Sequence, residues 1–308
     1  MVDTTTSPST QKSTIVRANL GVRLRGIALA LAEREAPRLG ARLAVRMWLT
    51  IPPAAIRPAM TEPGERTVLR GHVVTESWGV GPAVYLLHGW GGYRGQLGAF
   101  VGPLTSAGFR VVAVDAPGHG ESGPGRYGRG RALMPDFISA LEAAIAHYGP
   151  AHGVIAHSLG ASAAAIAVLD GLPVNRLVLI APVSNAMSGI DIFARTAGVG
   201  PRVRAKMPRR IQRLTRIPVE HFDVVTRAAE CEELPPVLVI HDTGDRRVPF
   251  DLGVLVAAAW PGARLEPTEG LGHLRILQHP EVTKSAAGFL TGVGAAGRRA
   301  PAGLGPSA

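Results

Sequence analysis

Apolar residues along this chain keep two different rhythms, and the change between them divides it. From Leu20 they recur at helical spacing (Leu20, Leu24, Ile27, Leu31), with Arg23, Arg25 and Arg34 off the stripe. Pro37 interrupts, then Leu39, Leu43 and Met47 continue the stripe beside Arg42 and Arg46, and Pro52 and Pro53 end it. Residues 15–53 therefore read as amphipathic N-terminal helices. A basic amphipathic pair of this kind can lie on an anionic membrane. The preferred reading is that its stripe packs on the main domain or on a second copy of the chain.

From Thr67 short apolar runs alternate with helical stretches. Strands are expected at Thr67–Ser77, Ala83–Leu87, Val111–Val114, Val154–Ala156, Leu177–Ile180, Val237–Ile240 and Ala263–Pro267. Helices are expected at Leu97–Ala107, Leu133–His147, from Leu159 to about Leu169, and Pro280–Leu290. Continuous apolar strands alternating with helices predict an α/β fold with a mostly parallel sheet covered on both faces. The alternation breaks between Pro182 and Pro235. There the chain reads as helical and basic (Arg202, Arg204, Lys206, Arg209, Arg210, Arg213, Arg216), an insertion at about 183–234 expected to form a lid over the strand ends. The core domain is bounded at 60–291, with Ser/Thr-rich residues 1–14 and Gly/Ala/Pro-rich residues 292–308 expected to be disordered.

Composition narrows the function. An apolar content of 46% across 308 residues, with a mean hydropathy of +0.17, suffices for a large core. The net charge of +10 raises the question of nucleic acid, but no zinc-finger spacing, aromatic-glycine RNA motif or basic zipper accompanies it, so none is expected. Cys231 is the only cysteine, which excludes an internal disulfide and any cysteine-based metal cluster. No apolar run reaches the ~18 residues of a membrane span, and no signal-peptide core is present, so a cytoplasmic protein is expected.

Candidate chemistry lies where expected strands end. Val154-Ile155-Ala156 leads through His157-Ser158-Leu159-Gly160 into an alanine-rich helix, so Ser158 falls on a tight strand-to-helix turn with small neighbours at Ala156 and Gly160. His88-Gly89-Trp90-Gly91-Gly92 follows another strand, and its glycines can turn backbone N–H groups toward an oxyanion. By analogy the donors are the N–H groups of Trp90 and Leu159. His88, Gly89, Gly91 and Gly160 support them, His88 structurally. Asp115 in Asp115–Ser122 is given no catalytic role, and His119 is read as structural.

A serine needs a base, and the base needs an acid to hold its tautomer. Asp245 is the expected acid in the loop after Val237–Ile240, with Asp242 as a supporting or turn residue. His273, carried by Glu269-Gly270-Leu271-Gly272, is the expected base. His241 reads as buried, His279 as a helix-start residue and His157 as pointing away from Ser158.

With these pieces in place, residues 67–291 resemble the α/β-hydrolase superfamily. The resemblance rests on HGWGG (88–92), DAPGHGES (115–122), AHSLG (156–160), HDTGDRRVP (241–249) and GLGH (270–273), with Ala156 where glycine is usual. It implies an eight-stranded, mostly parallel sheet with helices on both faces and a helical cap after the sixth strand. The function expected is a serine hydrolase acting on a small ester or thioester through an acyl-enzyme, with no cofactor and no metal. C–C hydrolase and peptidase chemistry use the same fold. A different class, a non-catalytic ligand- or partner-binding protein, is the other alternative. Contact with an anionic membrane and a homo-oligomer are further partner readings.

Overall fold

A computed structural model describes residues 24–52, 63–70 and 72–292. Segment 1–14 and, apart from Gly292, segment 292–308, both expected to be disordered, lie outside the described residues, as do Leu20 and Arg23.

In chain order the elements are helix α1 (residues 24–35), α2 (Pro37–Leu49), strands β1 (Glu65–Leu69), β2 (Val73–Trp78) and β3 (Ala83–Leu87), then α3 (Val101–Ser106), β4 (Arg110–Val114), α4 (Met134–Tyr148), β5 (Ala151–His157), α5 (Leu159–Leu169) and β6 (Leu177–Ile180). After β6 come α6 (Ala186–Ala197), α7 (Pro201–Arg204), α8 (Met207–Thr215) and α9 (Val224–Ala229). The chain closes with β7 (Val237–Asp242), α10 (Phe250–Ala259), β8 (Arg264–Thr268), α11 (Gly272–Arg275) and α12 (Pro280–Thr291).

One eight-stranded sheet runs in the order β1-β2-β4-β3-β5-β6-β7-β8. β1 and β2 pair antiparallel, β2 and β4 likewise, and every other pair is parallel. The central strands are apolar from end to end because helices cover both faces; all five side chains of β3 and all four of β6 are buried. Since β3 to β8 run the same way, the loops that follow them gather at one edge, where ligands of such sheets bind.

The stretch Thr67–Ser77, expected as one strand, is two. His72 donates its N–H to the Leu69 carbonyl, Arg70 takes a φ of +47°, and the chain reverses into the β1–β2 hairpin. The polar break Arg70-Gly71-His72 between the apolar runs Val68-Leu69 and Val73-Val74 is the sequence signal of the turn, and the one-strand expectation reads through it. The helix expected at Leu97–Ala107 is also divided: Arg94–Phe100 is a 3₁₀ turn and only Val101–Ser106 is α-helical.

Arg94 has a structural task in that turn. Its guanidinium, largely buried, bonds Glu76 of β2 at 2.7 Å, Asp115 at 2.6 Å and Glu121 at 2.6 Å, while its N–H bonds Asp115 at 2.6 Å. Burial opposes the charge on Arg94, but the three carboxylates more than offset it and raise its affinity for the proton. This cluster ties the loop after β3 to the loop after β4, and it accounts for Asp115 without a catalytic role.

Two compact units are distinguishable: residues up to Trp48 together with Gly189–Val219, and the remainder. Within the first, the N-terminal helices pack on the inserted ones. The Glu33 carboxylate accepts from the N–H groups of Arg202 and Val203, Arg202 bonds the Arg34 carbonyl, and Trp48 stacks on Phe193. Gly40 sits so close to Val203 and Ala32 that a Cβ there would fall 2.5 Å and 2.9 Å from their side chains. Packing of the Leu24–Ile27–Leu31 stripe on the main domain is corrected here, because these residues are 56–61% exposed and Leu39 is 59% exposed. The buried side is instead Leu29 with Gly40, Ala41, Ala44, Val45 and Leu49. Gly40 permits the close approach of α2 to Val203, and Leu29, Val45 and Leu49 supply the buried apolar contacts.

Removing Arg94 strands Asp115 and Glu76 as buried, uncompensated carboxylates. Arg94→Ala is expected to lower stability by about 3–5 kcal/mol, read as a shift in urea midpoint at neutral pH. A change within experimental error would contradict the clamp.

Candidate active site

Ser158 stands between β5 and α5 with φ +53° and ψ −121°, a strained conformation that a non-glycine residue holds only where its surroundings enforce it. The enforcement is visible on both sides. Ser158 donates its N–H to the Ile180 carbonyl of β6 at 2.8 Å, and α5 starts immediately after it. At Gly160 an added Cβ would lie 2.2 Å from the His88 carbonyl oxygen and 2.9 Å from that of Leu87, so only glycine lets the helix start this close to the end of β3. At Gly89 an added Cβ would lie 2.9 Å from Ser158 Cβ, so the loop after β3 lies directly against the serine. Ala156, the departure from the usual glycine, is fully buried in the β5 ladder opposite Leu87.

His273 lies on α11, beyond β8, and its ring bridges the serine and an acid. Its Nε2 is 3.1 Å from Ser158 Oγ and its Nδ1 is 2.6 Å from Asp245 Oδ2. Asp245 Oδ1 accepts from the N–H groups of Arg247 and Val248 at 2.8 and 3.1 Å. Burial would raise the Asp245 carboxyl, but the His241 and His273 rings and these N–H groups outweigh it and hold the group far below the usual carboxylate range. The acid is therefore charged wherever the protein is folded near neutral pH, and it orients His273 with Nε2 toward the serine.

Asp242 does not touch His273. It grips the loop that carries it, accepting from Leu271 N–H at 2.8 Å and the Thr268 hydroxyl at 3.0 Å. Burial pushes its carboxyl up, but the N–H groups of Leu271 and Gly272 and the Thr268 hydroxyl more than offset this and lower it. His88 Nε2 accepts from Ala116 N–H at 3.0 Å, which assigns the ring proton to Nδ1, 2.7 Å from the Gly89 carbonyl. It thus fixes the HGWGG turn to the loop after β4. His119 is buried against the rings of His88, Trp90 and Phe137. His241 is fully buried with Nε2 bonded to the Val248 carbonyl, and His279 caps α12.

Sequence reasoning missed two contributors. Arg94 bonds carboxylates 18, 21 and 27 positions away, and no local pattern announces that convergence. His157 does point away from Ser158, yet it reaches the base from behind. Its Nε2 donates to the His273 carbonyl at 2.9 Å, and the two rings lie 4.5 Å apart. Its only signal was the alternation of β5, which turns it to the face opposite Ser158.

Among the described residues, no cluster of three or more His, Cys, Asp or Glu side chains could hold a metal ion, and no helix is long and apolar enough to cross a membrane.

The parallel sheet, the strained serine and the serine–histidine–aspartate contact chain define an α/β protein of hydrolase architecture. A family model described as serine aminopeptidase, S33, matches residues 80–234, just over half of the chain, and the chain belongs to this family of α/β hydrolases. A pimeloyl-[acyl-carrier protein] methyl ester esterase from Methylococcus capsulatus is 51% identical over 47 residues, which are 15% of this chain and 18% of that protein. The chain thus spans under a fifth of the length of the curated relative it matches. An esterase from Thermogutta terrifontis superposes with a TM-score of 0.56 at 21% identity, over 75% of this chain and 99% of that one. An esterase from Exiguobacterium antarcticum gives 0.56 at 19% identity, over 74% and 99%. At these identities the two structures speak for the fold.

His157 is completely buried, and burial, reinforced by the nearby His273, holds its affinity for a proton well below that of an ordinary histidine. Below about pH 6.5 the unfolded chain takes up a proton on His157 that the folded chain refuses. Its contribution therefore lowers stability as the pH falls through that value. His157→Gln, which keeps a donor for the His273 carbonyl, is expected to flatten the fall in Tm between about pH 7 and pH 5. An unchanged slope would show that His157 is not held neutral.

Proposed function

We propose that this protein is a serine hydrolase that cleaves carboxylic esters through an acyl-enzyme. The observation that carries the reading is the contact chain Ser158 Oγ–His273–Asp245, at 3.1 and 2.6 Å, on a serine with φ +53°.

In this reading Ser158 Oγ attacks the ester carbonyl carbon while His273 Nε2 takes its proton. Asp245 accepts the Nδ1–H and stabilises the imidazolium that forms. The oxyanion is held by the N–H of Leu159, which as the first residue of α5 has no acceptor within the helix, and by the N–H of Trp90 in the Gly-rich turn. One such donor is worth about 10²–10³ in rate. Collapse expels the alcohol, protonated by His273, and leaves the acyl group on Ser158. His273 then removes a proton from water as it attacks the acyl carbon, and the second collapse frees the carboxylic acid and restores the serine.

A peptide amide can follow the same route, and the description of the matching family favours this as the second reading. An amine leaves less readily than an alkoxide, so protonation by His273 would carry more of that reaction. Comparing kcat/KM for p-nitrophenyl esters with that for amino-acid p-nitroanilides separates the two.

The first test is labelling with a fluorophosphonate probe. Wild type is expected to label on Ser158, with Ser158→Ala and His273→Ala unlabelled. On a responsive ester, Ser158→Ala is expected to lose roughly 10⁴–10⁶ in kcat, and Asp245→Asn about 10⁴. Folded wild type that neither labels nor hydrolyses an ester panel would overturn the proposal in favour of ligand binding.

A further inference from the structure

The charge of this protein is concentrated in one place. Residues 24–48 and 189–219, the described part of the first compact unit, hold thirteen arginines and lysines against three carboxylates, while the rest of the chain is balanced. The whole excess of +10 therefore belongs to this helical unit. Arg25, Arg34, Arg38, Arg42 and Arg46 of its N-terminal arm are exposed, as are Arg202, Lys206, Arg209, Arg213 and Arg216 of the inserted helices. Of the three carboxylates, Glu33 accepts from backbone N–H groups at the start of α7, Asp191 pairs with Arg204, and Glu35 is exposed.

The same unit exposes an apolar row. Leu24, Ile27 and Leu31 follow one another at spacings of three and four along α1, so they share a face, and each is more than half exposed. Arg34 continues the row by three further positions, and Leu39 on α2 is also exposed. Along residues 24–31 of α1 only Leu29 is buried, so three of its four large aliphatics face outward, where a helix at rest on its own protein would cover them. Residues 1–14 offer no apolar stripe to cover the row, being mostly Ser and Thr.

We propose that this face docks on an anionic lipid surface, with Leu24, Ile27 and Leu31 in the headgroup–acyl boundary and the flanking arginines on lipid phosphates. Apolar insertion combined with basic flanks is the chemistry of interfacial helices. A second copy of the chain fits less well, because it would bring two units of the same strong charge together. A nucleic acid would engage the arginines but leave the aliphatic row without a partner.

Flotation of the full chain with vesicles tests this directly. Wild type is expected to bind phosphatidylcholine vesicles containing about 30% phosphatidylglycerol at least about tenfold more tightly than pure phosphatidylcholine, and to release as salt approaches about 0.5 M. Leu24→Ser/Ile27→Ser/Leu31→Ser, all at exposed positions, is expected to lose at least about tenfold in binding with an unchanged melting temperature. Arg25→Gln/Arg34→Gln/Arg38→Gln is expected to do the same. Wild type that stays with buffer, or a triple-Ser variant that floats as well as wild type, overturns the proposal. Equal binding to both vesicle types overturns the anionic requirement. Dimerisation of wild type in sedimentation velocity that the triple-Ser variant abolishes, without vesicle binding, would assign the row to a second copy instead.

Discussion

The approach of two stretches of backbone governs this active site. The N-terminus of α5 comes so near the end of β3 that a single carbon atom on Gly160 would meet the His88 carbonyl at 2.2 Å. The opposing loop comes equally near the serine at Gly89. With both side chains absent, Ser158 can be held at φ +53°, and the N-terminus of α5 and the Gly-rich turn lie against it, as the proposed oxyanion site requires. The strain at Ser158 is stored because the elements on both sides are anchored independently. The sheet holds its N–H through Ile180, and α5 is buried along almost its whole length.

Around that contact, buried polar groups hold the loops in place from outside. Arg94 gathers three carboxylates from β2 and the loop after β4, and His88 binds the same loop through Ala116 N–H. On the other flank Asp242 fixes the loop carrying the base, and His157 supports the His273 backbone from the far face of the sheet. Each of these groups is ionised or neutral for a clear reason. The carboxylates are paid for by N–H donors or a guanidinium, and His157 stays neutral because burial and the neighbouring His273 ring outweigh the pull of the His273 carbonyl and of Asp245. A network of this kind gives His273 one orientation instead of several, which is what its proposed role as a general base needs.

How much of this was legible in the sequence depended on how local its cause was. The six parallel strands could be read because continuous apolar runs follow from burial on both faces. Ser158, Asp245 and His273 could be located because each follows a strand in a loop of small residues, and the structure brings those three side chains into contact. The β1–β2 hairpin was missed although Arg70-Gly71-His72 marks its turn, because the short runs on either side read together as one strand. Nor were Arg94 and His157, whose partners lie far along the chain. The α1–α2 arm misled in a different way. Its stripe of large aliphatics was real, but Leu24, Ile27, Leu31 and Leu39 face outward, and the arm is buried through Leu29 and through the side of α2 that brings Gly40 against Val203.

That inversion changes what the basic composition means. Read as a total, +10 invites a search for a polyanion bound by the whole protein, yet the sheet-bearing part of the chain contributes nothing to it. Charge confined to 56 residues acts over a Debye length of about 8 Å at physiological salt as a local patch, and its partner must come to that patch. Exposed aliphatics among the arginines then decide between partners. Phosphates alone would satisfy the guanidinium groups, but only a partner with an apolar layer beneath its phosphates gains by covering Leu24, Ile27 and Leu31 as well. The substitutions that would weaken such a surface lie on exposed helix faces, outside the contacts that hold Ser158, His273 and Asp245, so the two proposed activities can be tested separately by mutation.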